Sequence, residues 1–134
     1  MISDADRVTH MLEAIAKMRI SLAGMSKAEF LVNDDKKAVA ERYIMIVGEA
    51  AHMVSRETRE RFPQIPWLDA NDMRNVVAHE YMQVDYNEVW NVATVDFPKL
   101  EEQLLAIRQY LPSPNQTDGD QQQPDTTAII NFQP

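Results

Sequence analysis

Three apolar stripes, each stepping mostly by three and four residues, constrain this chain more than any other feature. Val8, Met11, Leu12, Ile15, Met18 and Leu22 form the first. Ala40, Ile44, Val47, Ala51 and Val54 form the second, and Phe97, Leu100, Leu104, Ile107 and Leu111 the third. Steps of three and four put residues on one face of an α-helix. A helix with one apolar face has to bury it, and three such helices can bury theirs against one another. Ala, Leu, Met, Glu, Lys and Arg dominate the composition, while glycine occurs only 3 times in 134 residues. Both observations predict an all-α fold of single-domain size with a modest core.

Punctuation in the sequence divides the stripes into elements. Asp4 or Asp6 can cap a first helix that runs to about Ala23, with Gly24 ending it. Ser26-Lys27-Ala28-Glu29 has the form of a capping box for a second helix, interrupted at Asn33-Asp34-Asp35. Arg56 to Arg61 reads as a short, charge-rich turn at the surface. Phe62-Pro63-Gln64-Ile65-Pro66-Trp67 breaks regular structure twice, because each proline biases its predecessor away from helix. Ile65 and Trp67 are expected to anchor that loop to the core. A helix is expected from about Asp69 to His79. Asp85 caps the next one, and Asp96 with Pro98 marks a kink or restart capped by Asp96. After Leu111 the chain changes character. Residues 112–134 hold four Pro and five Gln, a composition that favours disorder. Within them Ile129, Ile130 and Phe132 are the candidates for docking on a folded surface. The expected division is a helical domain over 1–111 and a Pro/Gln/Asp-rich tail over 112–134.

Charge and cysteine content exclude several kinds of protein. Without cysteine there are no disulfides, thiol nucleophiles or Cys-ligated zinc. The first residues lack the basic and apolar regions of a signal peptide, and no apolar run approaches a membrane span, so a cytoplasmic location is the expectation. The net charge of −8 argues against binding nucleic acid by bulk attraction. Asp118, Asp120 and Asp125 carry three of those charges, leaving −5 on the body. A local groove can still be positive, because Arg42, Arg56, Arg59, Arg61 and Arg74 lie within a third of the chain.

Two polar clusters stand out. In Met73-Arg74-Asn75-Val76-Val77-Ala78-His79-Glu80-Tyr81 an Arg, an Asn, a His and a Tyr crowd into eight residues. A guanidinium holds phosphate oxygens through a rigid fork of donors, and an imidazole moves a proton near neutral pH. On one regular helix Arg74 and His79 lie about 140° apart. They converge on one ligand only if the helix ends near His79 or a second chain completes the pocket. The second cluster is Arg42, Glu49, His52 and Arg56, within about 80° of one another on a continuous helix. It reads either as a solvated face or as one wall of a groove holding Arg74 and His79. Gly48, Ala50 and Ala51 beside it are small enough for another helix to approach. His10, at the edge of the first stripe, reads as a boundary or surface residue, and the methionines as core filler.

Taken together, these segments resemble the HepT toxin-like branch of the HEPN superfamily (higher eukaryotes and prokaryotes nucleotide-binding). Ile46-Val47-Gly48-Glu49-Ala50-Ala51 is similar to that family's "IGEAA" helix, with Arg42 at its usual place. Phe62 to Trp67 is similar to its "PEIPW" loop, and Arg74 to Tyr81 to its R-x4-H-x-Y signature. Val84-Asp85, Trp90 and Asp96-Phe97-Pro98 follow its "VD…W…DLP" run. The resemblance covers roughly residues 4–111.

The resemblance implies an antiparallel helical bundle that forms a homodimer, with two signature motifs facing one cleft. It implies metal-independent cleavage of RNA rather than DNA, without a cofactor. In that role His79 is the general acid/base, Arg74 stabilises the charge of the phosphorane-like state, and Asn75 and Tyr81 position the phosphate. Proteins of this kind are paired with MntA, a minimal nucleotidyltransferase antitoxin that transfers AMP onto the signature tyrosine, here Tyr81. The implied function is therefore the toxin ribonuclease of a type VII toxin–antitoxin pair. The alternative is a non-catalytic HEPN module that binds a nucleotide or the nucleotidyltransferase. A purely structural helical dimer leaves the Arg, Asn, His and Tyr unexplained.

Overall fold

The computed structural model describes residues 2–78 and 84–112, and the described residues are helical with no strands. Eight α-helices follow one another: α1 (Asp4–Leu22), α2 (Lys27–Leu31), α3 (Asp34–Met53), α4 (Arg56–Arg61), α5 (Trp67–Asp72), α6 (Asn75–Ala78), α7 (Tyr86–Asn91) and α8 (Phe97–Arg108). A π-helical segment, Val92–Asp96, joins the last two. The expected all-α class is what the chain adopts. The tail, including Ile129, Ile130 and Phe132, lies outside the described residues.

α1 and α3 form the spine and run antiparallel. The Asp4 carboxylate, at the start of α1, accepts the Ser55 backbone N–H just beyond α3 at 2.9 Å. At the other end Lys36 Nζ, in the first turn of α3, donates to the Ser21 carbonyl at 2.8 Å. The three stripes meet here. Val8, Met11, Ile15, Met18, Ala40, Ile44, Val47, Phe97, Leu100, Leu104 and Ile107 are all essentially inaccessible to solvent. Burying side chains of this kind stabilises a fold by roughly 1.5–3 kcal/mol each, relative to leaving them exposed.

Local chemistry explains most of the boundaries. The cap of α1 is Ser3, not Asp4 or Asp6: its hydroxyl accepts the Asp6 N–H while Asp6 reaches back to the Ser3 N–H. The same reciprocal pair forms between Ser26 and Glu29 at α2. Gly24 follows α1 with φ of 76°, a left-handed conformation that costs glycine little. Residues 56–61, expected as a turn, form a short helix because Ser55 caps it by accepting from the Thr58 N–H. In the double-proline loop Ile65 and Trp67 are buried as expected, and the indole N–H donates to the Phe62 carbonyl at 3.0 Å.

Two further expectations are corrected. Asp96 does not cap a restarting helix. Its backbone is helical (φ −72°, ψ −44°) and its side chain makes no capping bond. Pro98 has no N–H to give the Thr94 carbonyl, and its ring crowds that carbonyl. The chain widens one turn instead, and the Phe97 N–H reaches back to Val92. The helix expected from Asp69 to His79 is also broken. α5 ends at Asp72, Met73 and Arg74 make a turn, and α6 begins at Asn75. Around the break the bonds span three residues: Arg74 N–H to Asn71, Val76 N–H to Met73, and Val77 N–H to Arg74.

Candidate active site

The break between α5 and α6 fixes the direction of Arg74. Its backbone N–H and its side-chain Nε both donate to the Asn71 carbonyl, each at 3.3 Å. One carbonyl thus anchors both ends of the residue. The stem then crosses α3 at Gly48. A Cβ placed on Gly48 would stand 2.1 Å from Arg74 Cγ and 2.9 Å from Cδ. Glycine is required here for space, because the arginine stem occupies the volume of the missing side chain.

Glu49, the next residue on α3, completes the seat. Its Oε1 accepts from Arg74 Nη1 at 2.7 Å, with the arginine side chain 27% and the glutamate 59% exposed. A pair this exposed contributes little to stability. Its consequence is orientation. A guanidinium carries five N–H donors; one goes to Asn71 and one to Glu49, and the other three have no partner among the described residues. Two of those three sit on Nη2, one edge of the fork that can grip a phosphate.

The remaining expected residues are placed unequally. Asn75 is exposed at the first position of α6, directly after Arg74. Arg42 and His52 are exposed on α3. Arg56 leaves the group: α3 ends at Met53, so Arg56 is on α4, where its Nε pairs with Glu60 at 2.9 Å. The expected wall of four is thus three residues of α3, of which Glu49 touches Arg74. His79 and Tyr81 lie outside the described residues. No group of three or more His, Cys, Asp and Glu side chains among the described residues could hold a metal ion.

Two features of the site were missed in the sequence. Gly48 does admit a helix as read there, since the Ala70 carbonyl of α5 would lie 3.3 Å from a Cβ at that position, but the sequence did not show that the Arg74 stem fills the same space. The Asn71 carbonyl could not be read at all, because a backbone acceptor leaves no mark on residue type. Asn71 also has a buried Oδ1 with no hydrogen-bond partner among the described residues. The adjacency of Gly48 and Glu49, space followed by counter-charge, is the one available signal.

Residues 11–107 match the family described as "Ribonuclease HepT-like", and the chain belongs to that family. Among curated proteins, "Putative RNase MJ1380" of Methanocaldococcus jannaschii is 32% identical over 79 residues, 59% of this chain and 72% of that protein. "Gamma-glutamylcyclotransferase and putative RNase MJ0434" from the same organism is 31% identical over 104 residues, 78% of this chain but 47% of that protein. "Probable ribonuclease HepT" of Thermococcus cleftensis is 26% identical over 106 residues, 79% of this chain and 96% of that protein. No solved structure matches the chain.

Proposed function

We propose that this protein is an endoribonuclease of the HepT kind, cutting RNA without a metal at a cleft formed by two copies of the chain. The observation that carries the reading is the seat of Arg74. A guanidinium is held by its stem against Gly48 and by one carboxylate, with Nη2 turned to neither, five residues before His79. An arginine fixed in this way is ready to meet charge that develops on a phosphate, without reorganising when the reaction occurs. His79 takes the proton of a ribose 2′-hydroxyl, whose oxygen attacks the adjacent phosphorus, and the departing 5′-oxygen receives a proton. The product ends in a 2′,3′-cyclic phosphate. Asn75, beside Arg74, and Tyr81 position the phosphate, and dimerisation brings a second Arg74 and His79 to the cleft.

The same reading assigns control to Tyr81. A cognate nucleotidyltransferase of the MntA kind transfers AMP from ATP to its phenol, releasing pyrophosphate and placing bulk and negative charge two residues from His79, where they repel RNA. Toxicity on expression without the antitoxin, loss of toxicity in His79→Ala, and adenylyl mass on Tyr81 after co-expression are the expected results. A silenced complex with unmodified Tyr81 contradicts the control mechanism. Toxicity that survives His79→Ala contradicts the catalytic one and favours a binding module.

A further inference from the structure

A second polar feature lies between α1 and α3. Arg7, His10, Ala14 and Lys17 follow one another on α1 at steps of three, four and three, so they share a ridge beside the buried stripe. Tyr43, Ile46 and Ala50 face them from α3, and the groove between has a volume of about 350 Å³. That is within the range of small-ligand sites, roughly 300–1,000 Å³. Glu13 and Glu49 line it too. Glu49 is committed to Arg74, and Asp4, whose carboxyl feels the Arg7 charge, is hydrogen-bonded to Ser55 and Thr58. Neither Arg7 nor Lys17 has a carboxylate within 4.0 Å among the described residues. No ion pair at that distance closes either charge, although Asp4 lies near Arg7 and Glu13 shares the groove, on a chain whose net charge is −8.

Continuity decides what such a groove would hold. Glu49 is at once its wall and the residue that grips Arg74, so the groove opens beside the guanidinium assigned to the scissile phosphate. We propose that the α1/α3 groove binds single-stranded RNA flanking the cleavage point, with Arg7 and Lys17 on backbone phosphates and Tyr43 stacked on a base. This deepens the ribonuclease reading and rests on it. The parts are those a strand needs: cations for the backbone and one aromatic ring that takes any base. Ile46, Ala14 and Ala50 give that base an apolar floor.

The test is binding of a labelled single-stranded RNA with 2′-O-methyl riboses, which an attack from the 2′-oxygen cannot cut, read by fluorescence anisotropy across salt concentrations. Cleavage of unmodified RNA and the oligomeric state are measured on the same proteins. Arg7→Ala/Lys17→Ala is expected to lower the slope of log affinity against log salt by about 1.4, the single-strand value for two phosphate contacts. Tyr43→Ala is expected to weaken binding about tenfold and Tyr43→Phe to leave it unchanged, since the ring stacks without its hydroxyl. Wild-type affinity and salt slope in the double variant overturn the groove, while cleavage that persists leaves the ribonuclease reading standing. If that variant instead loses its dimer and keeps its RNA affinity, the groove holds a second copy and the proposal fails. A wild type that binds RNA through these residues yet cuts none supports the groove and removes the ribonuclease reading. A wild type that binds no RNA overturns the groove.

Discussion

Arg74 owes its position to a residue with no side chain. Replacing Gly48 by Ala puts a methyl group where the arginine stem lies, with the Ala70 carbonyl 3.3 Å away. Either the arginine swings out or α5 moves. Overpacking of this kind costs roughly 1–3 kcal/mol, so Gly48→Ala should lower the thermal midpoint and reduce RNA cleavage together. Wild-type values of both would show that the seat is not tight. Glu49 separates stability from orientation. Glu49→Gln should change unfolding free energy by less than about 1 kcal/mol, because the pair is exposed. It should lower kcat more than it raises KM if Glu49 aims a group that acts in the transition state. Equal kcat with raised KM would assign Glu49 to substrate binding alone.

At the scale of elements, periodicity and capping were legible and the two helix distortions were not. The stripe of α1, the Ser26 box and the Asp85 cap follow from residue type, since each is a local bargain between a side chain and nearby backbone. The π turn and the α5–α6 break depend on how adjacent turns share acceptors, which residue type records only as a Pro98 in one case and not at all in the other. Arg56 was misplaced for a related reason: a rotation angle carries meaning only while the helix is continuous, and α3 stops at Met53. The π turn leaves a testable mark. Burial chiefly, with Asp69 nearby, raises the Asp96 carboxyl above its usual value against an opposing pull from Lys99. A raised carboxyl means that the charged form is penalised in the folded state, and the penalty disappears as pH falls through that value. Asp96→Asn should therefore raise the unfolding midpoint at pH 7, with the gain vanishing in acid. Destabilisation by this substitution at pH 7 would show that the carboxylate is structurally needed.

The tie of α7 to α3 bears on which phenol can be modified. Tyr86 donates to Glu41, and this bond, with burial, pushes its phenol up to about 12. Lys37 lies over its ring at 4.5 Å. Tyr86→Phe should cost about 1 kcal/mol by removing the donor from Glu41. Tyr86 should take no adenylyl group alongside Tyr81, because its oxygen is occupied and hard to ionise. Peptide mass mapping after co-expression distinguishes the two.

For the whole molecule, the ends of the spine set the acid limit of stability. Burial alone would raise the Asp4 carboxyl, but hydrogen bonds from Ser55 and Thr58, and the nearby Arg7, outweigh it and hold the group below its usual 3.8. A depressed carboxyl gives stability that is complete above the unfolded value and lost as pH falls through the folded one. Urea midpoints of the wild type should therefore drop below about pH 4, and Asp4→Asn should be less stable at pH 7 with a shallower acid decline. Parallel acid profiles would contradict that assignment.

Of the candidate site the described residues include Arg74, Asn75 and the α3 residues, while His79 and Tyr81 lie outside them. Arg74 and Glu49 come together across 25 residues through a glycine, while Arg42 and His52 remain exposed on α3. Metal-independent cleavage that depends on His79 can be read in a single assay. A defined RNA is incubated in EDTA with wild-type protein and with His79→Ala, and the product ends are read. Wild-type protein should leave 2′,3′-cyclic phosphate ends, and the variant none. Intact RNA in both, from dimeric and unmodified protein, would contradict it.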